Sequence, residues 1–118
     1  MSKITEKGRL QYGIQFGGKW HYDFEVRVPT VKDNIEAIET YGTGSGMRVS
    51  FAMMVSAITE LGEIPKEKIT FDLLSENLAD SDFDAINDAL LRVKKKRELM
   101  NPDLKTTKPE NSSSAVTV

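Results

Sequence analysis

From Leu10 the chain alternates. Leu10, Tyr12, Ile14 and Phe16 are apolar, while Arg9, Gln11, Gly13 and Gln15 between them are not. Trp20, Tyr22, Phe24, Val26 and Val28 repeat the pattern against Lys19, His21, Asp23, Glu25 and Arg27. A period of two carried by aromatic and β-branched residues predicts two half-buried strands, and Gly17-Gly18 between them predicts a hairpin. A two-residue loop would pair Phe16 with Lys19 and send the two apolar rows to opposite faces. A three- or five-residue loop pairs Phe16 with Trp20, for example, and gathers all the apolar side chains on one face. The longer loop is therefore expected, with a glycine at positive φ or in a bulge. His21 then points to the solvent side. Residues 1–8 are polar and expected to be a flexible start.

Helical spacing follows. Pro29 ends the second strand, and Thr30 with Asp33 predicts a capping box. Val31, Ile35 and Ile38 mark one face of a helix ending near Tyr41. After the glycine-rich break Gly42–Gly46, a second helix is expected from about Met47 to Leu61, closed by Gly62 as a left-handed cap. Thr70 should cap a short helix from Phe71 to Leu78, with Phe71, Leu74 and Leu78 inward. The last helix should start near Asp80 or Ser81 and reach about Leu99, burying Phe83, Ile86, Leu90 and Val93. The fold class is thus α+β: an N-terminal antiparallel β-hairpin packed on three to four α-helices. Residues 9–100 form the single domain, and residues 101–118 are read as a disordered tail, being poor in residues that bury apolar surface.

Composition narrows the chemistry. The 118 residues include no cysteine and one histidine, which excludes a disulfide framework, thiolate sites and sites built on several histidines. Sixteen basic and 18 acidic residues leave a net charge of -2, which argues against a globally basic nucleic-acid binder. No apolar run is long enough to span a membrane. YGTGSGM lacks the Lys-Ser/Thr pair of a phosphate-binding loop, since Met47-Arg48 follows its last glycine. Asp80, Asp82 and Asp84 start like a calcium loop, but its glycine and glutamate positions hold Ala85 and Leu91. No catalytic residue, cofactor or metal is expected, and no enzyme.

Two features suggest contact with another protein. The second helix is apolar nearly all round, so it is either central in the domain or shared with another chain. Outside its inward stripe of Met47, Phe51, Met54, Val55, Ile58 and Leu61, the residues Val49, Met53 and Ala57 are candidates for a partner surface, methionine being adaptable. The last helix divides its charge, acidic from Asp80 to Asp88 and basic at Arg92, Lys94, Lys95, Lys96 and Arg97. Its dipole favours that order. The basic end and Leu91 complete the candidate contact set, which suits head-to-tail attraction between copies.

RVPTVKD (Arg27 to Asp33), an Ala/Met-rich helix, LGEIP (Leu61 to Pro65) and DFDAINDAL (Asp82 to Leu90), in that order, resemble the tail assembly chaperones of long-tailed phages, particularly the Mu-like group. The likeness spans roughly residues 20–95. It implies a non-enzymatic protein of the bacterial host's cytoplasm that binds the phage tape measure protein, helps organise the tail tube, self-associates, and leaves before the particle is finished. The basic run and the C-terminal tail have no counterpart in that pattern. Other readings are a minor structural or tail-completion protein of the particle, and a small nucleic-acid-binding regulator using Arg92–Arg97.

Overall fold

Gly17 and Gly18 have φ of 62° and 77°, the pair of positive values that a two-residue type I′ turn requires and that glycine supplies without strain. The turn pairs Phe16 with Lys19, Gln15 with Trp20 and Ile14 with His21. The longer loop is therefore not formed, and the single apolar face goes with it. The computed structural model describes residues 4–103; the expected disorder of the tail falls mainly on residues outside that range. Strand β1 is Thr5–Phe16 and β2 is Lys19–Arg27. Thr5 to Gly8 already pair with Arg27 to Phe24, so the ordered domain begins well before residue 9.

A large bulge interrupts the hairpin. Between the pairs Arg9–Asp23 and Ile14–His21, the residues Leu10 to Gly13 stand opposite Tyr22 alone. The register shifts there by an odd number, which exchanges the faces. Leu10, Ile14, Phe24 and Val26 are buried, whereas Tyr12 and Trp20 are exposed. His21, expected to face solvent, is buried for the same reason. Its Nδ1 accepts from the Glu63 amide at 3.1 Å and its Nε2 lies 3.1 Å from the Phe16 carbonyl oxygen. Those two partners assign the Nε2–H tautomer.

The second helix also ends early. Helix α1 is Val31–Tyr41 and α2 is Gly46–Ala57; Ile58–Leu61 is strand β3, antiparallel to β2 in a sheet of order β1-β2-β3. Ile58 and Leu61 continue the apolar helical spacing, but as strand residues they are fully enclosed. Thr59 ties the strand in place, its hydroxyl donating to Glu25 Oε1 at 2.8 Å. Gly62 does take positive φ (55°), at the end of a strand rather than a helix. A Cβ at this position would lie 2.3 Å from His21 Nδ1, so the close approach requires glycine.

The helix starts match their sequence signals. Thr30 and Asp33 form the capping box of α1, Ser45 caps α2 through the Arg48 amide, and Thr70 caps α3, Phe71–Asn77. Helix α4 is Asp80–Glu98. The core lies between the sheet and helices α2 and α4, with Ile14, Val26, Ile58, Leu74, Ile86 and Val93 fully enclosed. Each such side chain stabilises the fold by about 1.5–3 kcal/mol relative to exposure.

Helix α4 runs along the free edge of β1, and its divided charge follows that edge. Asp82, 1% exposed, accepts from the backbone amides of Gln11, Tyr12 and Gly13 at 2.8, 3.0 and 3.0 Å. These are the donors that the bulge releases from the ladder. Nearly three turns further on, Arg92 donates to Glu6 at 3.0 Å and reaches the Lys7 carbonyl at 3.5 Å. Lys96 donates to the Thr5 carbonyl at 2.7 Å and pairs with Glu6 at 2.8 Å. The acidic end takes strand amides and the basic end takes strand carbonyls, so the edge is closed against another strand.

Candidate protein-binding surface

The residues expected to meet a partner divide into three groups. Ala57 is fully buried, because the chain turns there from α2 into β3 beneath the sheet; it is not a contact residue. Val49 and Met53 are half-buried on α2, which is the central helix of the domain and packs on α1, α3, α4 and β3. Arg92 and Lys96 serve the β1 edge, and Lys96 followed by Arg92 holds the Glu6 carboxyl below its ordinary range. That leaves Leu91, 64% exposed, with Lys94, Lys95 and Arg97, which are exposed as well.

A further surface, with aromatic side chains beneath a polar rim, was not legible from spacing. Between α2, α3 and the start of α4 lies an open groove of about 600 Å³, floored by Phe51, Phe71, Leu74 and Phe83. Its floor is an aromatic stack. Tyr41 of α1 lies on Phe71 with centroids 4.5 Å apart; Phe51 meets Phe71 edge-on at 5.1 Å and lies tilted against Phe83 at 5.7 Å. Such pairs contribute about 0.5–1.5 kcal/mol each beyond area burial, so the floor is stiff. Met47, assigned to the inward stripe by its spacing, instead stands at the rim, 60% exposed. Arg48 lies over the Phe71 ring at 5.9 Å, and Asp72 and Asp80 line the groove as well. A stiff apolar floor, a flexible methionine and charges of both signs suit an amphipathic segment: apolar side chains enter, and flanking charges find partners at the rim.

Helix α1 turns its apolar side outward. Val31, Ile35 and Ile38, the face marked by spacing, are 75%, 52% and 39% exposed, while Asp33 and Ala37 face the domain. The cause is the anchor at the helix start. Arg27 donates to both oxygens of Asp33, at 2.8 and 3.0 Å, and to the Ser56 carbonyl at 2.9 Å. Those bonds turn the Asp33 side of α1 toward α2. Arg27 and the Thr30 backbone and hydroxyl hold the Asp33 carboxyl below the usual range, against the opposing effect of burial.

The sequence stretches that carried the family likeness are thus fold-fixing elements here: RVPTVKD anchors α1, LGEIP seats His21, and Asp82 of DFDAINDAL closes the bulge. Among the described residues, no helix is long and apolar enough to cross a membrane, and no group of three or more His, Asp or Glu side chains is arranged to hold a metal ion. Comparison with family models, with curated proteins and with solved structures gives no match to this chain.

Proposed function

We propose that the protein is a non-enzymatic chaperone of phage tail assembly, which holds apolar helical segments of the tape measure protein and acts in the cytoplasm of the bacterial host. The observation that carries this reading is the groove floored by Phe51, Phe71 and Phe83, open and bordered by charges of both signs. Its volume lies within the roughly 300–1,000 Å³ of sites that enclose a ligand. Being open, it admits side chains projecting from a helix. Leu91, Lys94, Lys95 and Arg97 offer a second place for an acidic stretch of the same partner. The regulator reading is weakened because Arg92 and Lys96 are occupied by Glu6 and the β1 backbone.

Co-expression with the tape measure protein tests the proposal. The wild-type chain should keep that protein soluble. Met47→Glu, at an exposed rim position, should leave the fold intact and weaken the complex about tenfold or more, because a carboxylate would be desolvated against the partner. A tape measure protein that precipitates with or without the chain would contradict the proposal. Fixed-copy recovery of the protein in finished particles would favour the structural-component reading instead.

A further inference from the structure

We infer that the exposed face of α1 is a two-fold interface, on which a second copy of this chain packs its own α1 antiparallel. Val31, Ile35 and Ile38 are spaced four and then three residues apart, the step of a coiled-coil seam. At 100° per residue they fall within about 60° of one another around the helix. All three are exposed, and none belongs to the buried core of its own domain.

Charge selects the occupant and its direction. With Val31, Ile35 and Ile38 on the seam, Lys32 and Glu39 fall on the same flank, one heptad apart and of opposite sign. Antiparallel helices bring that flank against itself. Lys32 of each copy then meets Glu39 of the other, twice over by symmetry. A parallel pair would set the flank against Asn34 and Tyr41 and form neither ion pair. Within one copy Lys32 is bound only loosely, 3.9 Å from Glu36 with 81% of its side chain exposed, so it is available. The surface is self-complementary, as an isologous interface must be.

Three side chains on an 11-residue helix fall short of the roughly 800 Å² per partner of a standard stable interface. The dimer is accordingly weak, with a dissociation constant of about 10 μM or above. Val31, Ile35 and Ile38 do not line the groove, whose floor α1 meets only through Tyr41 at its far end, so the pairing face is separate from the proposed partner site.

Sedimentation equilibrium of the purified full chain alone, up to about 1 mM, tests the interface. Wild type should show a concentration-dependent monomer–dimer equilibrium, and Ile35→Lys should be monomeric with an unchanged circular dichroism spectrum. Lys32→Glu and Glu39→Lys should each weaken the dimer about tenfold by setting like charges together. The double variant K32E/E39K should restore wild-type affinity, since the pairs re-form with signs exchanged. A strictly monomeric wild type, the result if this face serves a different protein, would overturn the inference. So would dimerisation that survives Ile35→Lys, or a double variant no better than the single ones. Because no tape measure protein is present, failure here is separable from failure of the chaperone proposal.

Discussion

Replacing Asp82 with alanine should lower stability by about 3 kcal/mol, seen as a lower urea midpoint at unchanged slope. In a domain of about 100 residues that is a fall in Tm of roughly 15 °C. The carboxylate is 1% exposed and accepts three backbone amides from the β1 bulge. Hydrogen bonds to a charged acceptor are worth more than neutral ones, about 1.5–3 kcal/mol each. The loss is smaller than three such bonds because Gln11 and Tyr12 are exposed, and their amides can turn to water. The Gly13 amide is buried and has no such recourse. Asp82→Asn should be milder, as one side-chain oxygen still accepts while the amide nitrogen faces donors. A loss below about 1 kcal/mol for the alanine variant would show that the bulge holds without its clamp.

Arg27→Ala should cost about 2 kcal/mol, because it strands the nearly buried Asp33 carboxylate. Breaking a fully buried pair costs more, but here the Arg27 side chain is 32% exposed and partly screened. The effect should also depend on pH in a definite direction. Arg27, first among the causes, lowers the folded-state pKa of Asp33 below its unfolded value of 3.8. The pair's contribution is therefore complete above about pH 5 and is lost as pH falls through 4 and on through the lower folded value. Urea titrations of wild type and variant should differ most near neutrality and converge toward pH 3. A gap that is constant from pH 7 to pH 3 would remove the ion pair from the explanation and leave only lost packing. Glu6, Glu25 and Glu63 are held low by their own partners in both proteins, so they drop out of the difference.

Local signals were legible where one short stretch contains both halves of an interaction. The Thr30–Asp33 capping box, the Thr70 cap and the bounds of α4 belong to this class. Contacts between distant residues were not. Nothing near Asp82 in the chain shows that its acceptors serve Gln11 to Gly13, and a first-turn aspartate has a sufficient local explanation in the helix dipole. The Arg92 and Lys96 partners on β1 were hidden in the same way. The strand Ile58–Leu61 was read as helix because Ile58 and Leu61 keep the helical spacing; only the β-branched pair Ile58-Thr59 signalled otherwise. The outward turn of the α1 face was not legible because amphipathic spacing shows that a helix has an apolar side, not what covers it. At the groove, Phe51, Phe71 and Phe83 were rightly taken as apolar contacts of their helices, but that three elements would leave a cleft between them depends on their packing.

Whether a helical partner occupies this groove is read by NMR chemical-shift mapping, with an amphipathic helical segment of the tape measure protein titrated into the labelled full chain. Groove binding gives the largest perturbations at Met47, Phe71 and Phe83, and these are lost in Met47→Glu. Perturbations confined to Lys94, Lys95 and Arg97, or none at saturating peptide, would contradict it.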